Sequence, residues 1–141
     1  MRRVLLDTGP LVAIFDSGDD RHDACLEAAN SLPSPLLSCW PVITEALWLL
    51  RYDSGAQQKL LRSIGTNFLH LLSLEGSEAG VIAEVMARYE DIRPQFADAC
   101  LVYLAHREDI ETIFTLDYRD FSIYRTARKR PFETVPPRLD P

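Results

Sequence analysis

Short apolar runs alternate with longer helical segments along the chain, and this alternation constrains the fold more than any other feature. Apolar strands are predicted at residues 2–6, 36–39, 67–74 and 111–117, with helices between them. Strands that alternate with helices form a parallel sheet covered by helices on both faces. The sequence therefore predicts an α/β protein with three α/β/α layers around a central, mainly parallel sheet of four or five strands.

The length and composition fit this prediction. A chain of 141 residues suggests one domain spanning residues 1–141. The hydrophobic fraction of 47% is enough for a proper core, and the charged fraction of 26% is ordinary for a soluble protein. The last segment, residues 118–141, is predicted to hold one or two short strands around a basic turn at residues 126–130.

The net charge of −6 is spread unevenly along the chain. Residues 1–117 hold 9 Lys and Arg against 18 Asp and Glu, whereas residues 118–141 hold 6 against 3. An acidic body with a basic tail is not typical of a protein that coats DNA. A nucleic-acid partner is still allowed, because a bound metal ion can neutralise an acidic site.

The cysteines and the hydropathy pattern predict a cytoplasmic protein. The three cysteines form no CxxC pair, which favours buried free thiols in a reducing compartment. The three histidines lack the spacing of zinc ligands. No segment approaches the roughly 18 uncharged apolar residues of a membrane span. The apolar run near the amino terminus contains Asp7 and Pro10 and lacks a cleavage site, which argues against a signal peptide.

Four carboxylates stand alone in apolar segments. Asp7 and Asp117 end apolar strands, in VLLD and IFTLD. Glu45 lies in the apolar helix CWPVITEALWLL, and Asp98 lies near the start of FADACLVYLA. A buried carboxylate without a partner is costly, so each should have a cation or a hydrogen-bonding role. In a parallel sheet, strand carboxyl ends and the helix starts that follow them share one edge, so the four are expected to converge there.

Clustered carboxylates repel one another and raise one another's pKa, which a hard divalent cation relieves. Oxygen ligands suit Mg²⁺ or Mn²⁺, and a carboxylate-only site is typical of metal-assisted phosphodiester cleavage. Each acid also has a simpler interpretation. Asp7 and Asp117 can be turn or cap residues, and Asp98 a helix cap. Glu45 can be partly exposed or paired with an arginine.

Four short motifs in order carry a resemblance to a known family. Asp-Thr follows the first strand, Thr-Glu lies in an apolar helix, Ala-Asp-Ala lies in a later helix, and Thr-Leu-Asp with Asp-Phe follows the fourth strand. Over residues 3–125 the chain resembles the PIN-domain ribonucleases, most of all the toxins of VapBC-type toxin–antitoxin pairs. The resemblance implies a parallel sheet between helices and a Mg²⁺- or Mn²⁺-dependent endonuclease acting on single-stranded RNA.

The resemblance also implies roles for individual residues. The catalytic and metal-binding quartet of the family maps onto Asp7, Glu45, Asp98 and Asp117. The supporting positions map onto Thr8, Thr115, Asp91 and Asp120. For Asp91 and Asp120 a turn role is favoured over a role in the site. Gly9 departs from the family pattern, since many members carry Ser there.

Partners follow from the same resemblance: an RNA substrate, a cognate antitoxin and a second copy of the chain in a homodimer. The basic tail, with residues Arg125, Arg128, Lys129 and Arg130, either contacts RNA phosphates or forms a solvated turn. An antitoxin helix is predicted to dock on Leu11, Phe15, Trp48 and Leu49, unless these residues belong to the core.

Two other function classes are considered. A catalytically inactive PIN scaffold would bind RNA or a protein without cleaving, but it need not keep four lone acids. A phosphatase of the haloacid-dehalogenase type also begins with a strand that ends in Asp. That class needs a second Asp two residues later, and Gly9 occupies this position.

Overall fold

A computed structural model describes residues 2–137 of the chain. Between these residues five short strands form one parallel sheet. The strands are β1 (Val4–Leu6), β2 (Leu36–Ser38), β3 (Leu69–Leu71), β4 (Thr112–Phe114) and β5 (Glu133–Val135). The predicted parallel sheet is therefore confirmed, with five strands.

Helices fill the connections between the strands. They are α1 (Thr8–Phe15), α2 (His22–Ser31), α3 (Trp40–Leu49), α4 (Ser54–Ser63), α5 (Ala79–Arg88), α6 (Phe96–Glu108) and α7 (Tyr118–Phe121). Two single 3₁₀ turns, Gly76–Glu78 and Glu90–Ile92, precede α5 and α6. None of the helices within residues 2–137 has the length and apolar character needed to cross a membrane.

The order of the strands across the sheet is β3-β2-β1-β4-β5. The chain runs from β1 outward to β3 and then returns past β1 to form β4 and β5 on the other side. The direction of the strand order reverses between β1 and β4, which pair in parallel with Leu5 opposite Ile113. Open parallel sheets bind their ligands at such a reversal, beyond the carboxyl ends of the strands.

The helices form two groups. Helix α1 contacts α2, α3 and α4, and α5 packs against α6. Because crossovers between parallel strands are right-handed, the reversal after β3 places these two groups on opposite faces of the sheet. Helices α3 and α6 nevertheless contact each other. The two helices that carry Glu45 and Asp98 therefore meet.

The core lies on both faces of the central strands. Every residue of β1, β2 and β4 is buried, as expected for parallel strands covered on both sides. The three cysteines, at positions 25, 39 and 100, are buried free thiols, as the sequence predicted. Burial raises the pKa of Cys39 to about 12, so its thiol stays protonated and packs as a small apolar group.

Several element boundaries differ from the prediction. The strand expected at 67–74 is only Leu69–Leu71, and α3 ends at Leu49 rather than near Tyr52. A new helix, α4, begins directly after Asp53. The Asp53 carboxylate is its N-cap and accepts a hydrogen bond from the backbone N–H of Ala56 at 3.0 Å. The tail forms a single strand within the described residues, β5, and the short helix α7 was not predicted.

Candidate active site

Asp7 lies directly beyond β1 and is both a helix cap and a cavity residue. Its carboxylate accepts from the backbone N–H of Thr8 at 2.8 Å and is the N-cap of α1. Its own N–H donates to the carbonyl of Phe114 at 2.9 Å, which ties it to β4. The residue is buried, with 6% of its surface exposed. Asp7 is thus both a helix cap and a residue of the acidic cavity, so the two interpretations from the sequence are compatible.

Thr115 connects the acid after β1 with the acid after β4. Its hydroxyl donates to Asp7 Oδ2 at 2.7 Å and accepts from the backbone N–H of Asp117 at 2.9 Å. Thr115 is fully buried. The hydroxyl therefore fixes the Asp7 carboxylate and the backbone of Asp117 relative to each other across the strand reversal.

Asp117 and Asp120 are held together by α7. Asp117 is the N-cap of this helix, and its Oδ1 accepts from the backbone N–H of Asp120 at 3.1 Å. One turn of helix brings the Asp120 side chain beside that of Asp117. Asp120 is therefore placed in the acidic cluster, although the sequence favoured a plain turn role for it.

Glu45 and Asp98 reach the same cavity from two helices that contact each other. Glu45 lies in the middle of α3, and Asp98 lies in the first turn of α6, where the helix dipole favours negative charge. No arginine or lysine among the described residues forms an ion pair with either. The structure brings Asp7, Glu45, Asp98 and Asp117 to one open cavity of about 510 Å³, with Asp120 as a fifth carboxylate.

The tightest grouping within this cavity includes only three of the five acids. One carboxylate oxygen from each of Asp98, Asp117 and Asp120 lies within 4.8 Å of the other two. Asp7 and Glu45 line the cavity outside this group. A single small cation can therefore be reached by the three aspartates at once.

Burial and the crowding of negative charge raise the pKa values of three acids in the cavity. Burial raises the pKa of Asp98 to about 8, and the charges of Asp7, Asp117, Glu45 and Asp120 add to the effect. Burial also raises the pKa of Asp7 to about 6, even though the hydrogen bonds from Thr115 and Thr8 lower it. The pKa of Asp120 is raised by burial and by Asp117. Such a cluster is protonated in part near neutral pH unless a cation joins it.

Two buried hydroxyls beside the cluster lack a partner among the described residues, Thr8 Oγ1 and Tyr124 Oη. The Thr8 side chain lines the acidic cavity, while Tyr124 is packed edge-to-face against Tyr89 and Phe121. A buried hydroxyl without a partner is costly, so Thr8 is consistent with a ligand that completes its hydrogen bonds. Together with the oxygen-only donor set, this fits hydrated Mg²⁺ or Mn²⁺ better than a softer metal.

The remaining predicted residues lie elsewhere. Asp91 is exposed in the 3₁₀ turn before α6 and does not line the cavity. In the basic tail, the Arg125 guanidinium donates to the carbonyls of Ser122, Ile123 and Tyr124, and Arg128 pairs with Asp109 at 3.3 Å.

Arg128 and Arg130 line a second cavity, together with Arg2 and Arg3, next to the first residues of β1 and β4. Lys129 is exposed in the same turn, with a left-handed backbone (φ 62°). This turn therefore lies at the amino ends of the strands, on the edge opposite the acids. RNA binding by these basic residues stays a prediction, and the structure does not bring them to the acidic cavity.

The predicted antitoxin groove is wrong in one residue. Leu11 is fully buried in the core, on the helix α1 that contacts α3. Trp48 and Leu49 are 64% and 51% exposed, so the core interpretation of these two is wrong. Phe15 is half-buried and packs edge-to-face on Phe68.

The sequence interpretation missed Arg93 and Gln95, which line the acidic cavity five and three residues before Asp98. The available signal was the segment DIRPQF, where an arginine and a proline interrupt the approach to an apolar helix. The distance of a loop residue from a site depends on the path of the chain, which this segment does not encode.

Comparisons with known proteins agree with this geometry. Residues 4–129 match the family model of the PIN domain. The chain is 31% identical over 135 residues to Ribonuclease VapC26 of Mycobacterium tuberculosis, a match that covers 94% of this chain and all of that protein.

A solved structure has a similar fold. The crystal structure of Mycobacterium tuberculosis VapC20, described as a toxin that cleaves the sarcin-ricin loop, superimposes with a TM-score of 0.71 at 18% identity. The match covers 78% of this chain and 86% of that one. From the family match over most of its length, and from its similarity to a curated ribonuclease, the chain belongs to the PIN domain family.

Proposed function

We propose that the protein is a Mg²⁺- or Mn²⁺-dependent endoribonuclease that hydrolyses RNA phosphodiester bonds and serves as the toxin of a type II toxin–antitoxin pair. The observation that carries the proposal is the convergence of five carboxylates in one cavity at the strand-order reversal. The similarity to Ribonuclease VapC26 over nearly the whole chain supports the ribonuclease activity.

The residues that would hold the metal are Asp98, Asp117 and Asp120, with Asp7 and Glu45 completing the negative lining. A divalent ion bound there supplies Lewis-acid stabilisation of the phosphate and of the charges that develop during hydrolysis. The protein contributes the fixed geometry. Thr115 orients Asp7 through its hydroxyl, and the N-cap bond of α7 orients Asp117 towards Asp120.

Glu45 is the residue best placed to move a proton. It lines the cavity from α3, outside the three-aspartate group, and is only partly buried, so a water molecule has room beside it. In the proposed reaction Glu45 accepts the proton of the attacking water. The water oxygen bonds to phosphorus, the bond from phosphorus to the 3′ oxygen breaks, and the leaving 3′ oxygen takes a proton from solvent water. The products then carry a 3′-hydroxyl and a 5′-phosphate.

The test is cleavage of a mixed pool of single-stranded RNA with Mg²⁺, with Mn²⁺ and with EDTA, using wild type and Asp7→Asn. We expect cleavage that requires metal and falls by more than about a hundredfold in the variant, since losing even an outer partner of a metal site costs about 10–100-fold. Thermal unfolding in EDTA is the control for folding. Equal cleavage by both proteins, or cleavage that EDTA does not reduce, would contradict the proposal.

An inactive scaffold remains the second candidate, and one experiment separates the two. Isothermal titration with Mn²⁺ should show binding that Asp98→Asn weakens, because Asp98 belongs to the three-aspartate group. A scaffold without metal chemistry is expected to bind Mn²⁺ weakly and to show no such difference.

We also infer three features of the protein's context. An antitoxin protein is the expected partner, and the exposed apolar side chains Trp48, Leu49 and Tyr52 at the end of α3 support a protein contact there. A homodimer is supported by the exposed Trp40 and Phe96, which line an apolar cavity of about 340 Å³. A cytoplasmic location is supported by the buried free thiols.

A further inference from the structure

Arg93 is the only cationic residue among the described residues that line the acidic cavity. It lies between the 3₁₀ turn Glu90–Ile92 and the start of α6, five residues before Asp98. The cavity is otherwise bounded by five carboxylates, one amide, one hydroxyl and apolar groups. Its positive charge attracts anions, whereas the five carboxylates around it repel them.

The guanidinium of Arg93 has no ion-pair or hydrogen-bond partner among the described residues. Among residues 2–137, no carboxylate lies within 4.0 Å of its guanidinium and no acceptor forms a hydrogen bond with it. Other arginines behave differently, since Arg107 pairs with Glu78 at 2.8 Å and Arg128 pairs with Asp109 at 3.3 Å. The Arg93 side chain is exposed and therefore available to a ligand that enters the cavity.

The backbone holds Arg93 in an unfavourable conformation. Its φ of 51° and ψ of 64° lie in the left-handed region, and the next residue is the buried Pro94, which disfavours helical conformations in the residue before it. Its N–H donates to the carbonyl of Glu90 at 3.1 Å. Glycine adopts this conformation at much lower cost, so an arginine at this position carries local strain.

We propose that Arg93 binds a phosphate of the single-stranded RNA next to the bond that is cleaved, and so draws the polyanion to an otherwise negative cavity. The proposal rests on the proposed nuclease function. Guanidinium groups bind phosphate through two parallel hydrogen bonds, and they stay charged at any working pH. Five carboxylates repel the RNA backbone, and Arg93 is the lining residue that opposes this repulsion.

The experiment compares three substitutions at Arg93 with two controls. Arg93→Gln removes the charge, Arg93→Lys keeps it, and Arg93→Gly removes the side chain and relieves the strained backbone. Lys59→Gln controls for the loss of one exposed charge on α4. Asp109→Gly, at another left-handed position (φ 54°) beside the opposite edge of the sheet, is compared by melting temperature alone, because Asp109 pairs with Arg128.

Two readouts are used on an end-labelled, unstructured RNA of mixed sequence. Steady-state cleavage with Mg²⁺ gives kcat and KM, and fluorescence anisotropy in Ca²⁺ gives affinity as a function of salt. We expect Arg93→Gln and Arg93→Gly to raise KM by about tenfold with a smaller change in kcat, as for the loss of one charged hydrogen bond. The slope of log affinity against log salt should fall by about 0.7, the value for one phosphate contact on a single strand.

Arg93→Gly distinguishes a loss of RNA binding from a loss of folding stability. Its melting temperature should be equal to or above that of wild type, and Arg93→Lys should recover most of the affinity. If Arg93→Gly retains the wild-type KM and salt slope, or if Lys59→Gln changes them as much, the proposal is overturned. If wild type does not cleave, the nuclease function fails, but the anisotropy of wild type against Arg93→Gln still decides whether Arg93 binds RNA.

Discussion

At the scale of single residues, the site depends on groups that orient the acids as much as on the acids. The buried hydroxyl of Thr115 bonds to both Asp7 and the backbone of Asp117. Its bond to Asp7 also lowers the pKa of that carboxyl against the effect of burial. Thr115 therefore positions one acid, keeps it more readily ionised and aligns a second.

We predict that Thr115→Val lowers cleavage by about 10–100-fold and destabilises the protein by about 1–3 kcal/mol. Valine keeps the shape but removes both hydrogen bonds, so the Asp7 carboxyl loses its anchor and the Asp117 N–H loses its acceptor. Cleavage kinetics and urea unfolding measure the two effects. Thr115→Ser should recover most of the activity, because it restores the hydroxyl.

Thr112→Val is the matched control for this prediction. Thr112 is buried in β4, three residues before Thr115, but its hydroxyl donates to Glu133 at 3.2 Å, away from the acidic cavity. It should cost stability without a specific loss of activity. Equal losses of activity in Thr112→Val and Thr115→Val would show that Thr115 acts only through folding.

At the scale of elements, the short helix α7 determines how many acids can approach one cation. The helix begins with Asp117 as its N-cap, and its first turn carries Asp120. The Asp98 oxygen that completes the group comes from the first turn of α6. Two helix starts thus supply the three closest carboxylates, while β1 and α3 supply the other two.

We predict that Asp120→Asn weakens Mn²⁺ binding by about tenfold or more and lowers cleavage accordingly, because it removes one charge from the three-aspartate group. Asp91→Asn, an exposed acid outside the cavity, should have a much smaller effect. Isothermal titration with Mn²⁺ gives both values. A larger effect at Asp91 than at Asp120 would favour the supporting role that the family resemblance implies for Asp91.

At the scale of the whole molecule, the cluster makes stability depend on pH and on metal. The pKa of Asp7 rises from 3.8 to about 6 on folding, and that of Asp98 rises from 3.8 to about 8. In the window between these values the folded state binds more protons than the unfolded state. The free energy of unfolding of the metal-free protein therefore falls as pH rises through this window.

We predict that the metal-free protein loses at least about 1 kcal/mol of stability, or roughly 4 °C in melting temperature, between about pH 5 and about pH 8. Asp98→Asn should flatten this dependence. Mg²⁺ should stabilise wild type most at the higher pH, because binding requires ionised carboxylates. Thermal unfolding in EDTA and in Mg²⁺ measures both effects, and stability that rises with pH in EDTA would contradict the assignment.

Much of the fold and the positions of the four lone acids could be predicted from the sequence. Apolar strands, helix starts and carboxylates in apolar surroundings are local features with a direct energetic cost, and the parallel sheet then requires strand ends to meet at one edge. Short or irregular features could not be predicted in this way. Helix α7 has only four residues, and β3 was expected to be longer because partly buried apolar residues flank it.

The sequence by itself determined the class of fold and the acidic character of its functional edge, because burial of apolar strands and isolation of charge are properties of neighbouring residues. Only the tertiary structure decided which acids come closest to one another, where the basic tail lies and which arginine lines the acidic cavity. Asp120 joined the group through a helix cap, and Arg128 and Arg130 came to the far edge with the amino ends of β1 and β4. These positions depend on how separate helices and strands pack against one another, which no single segment encodes.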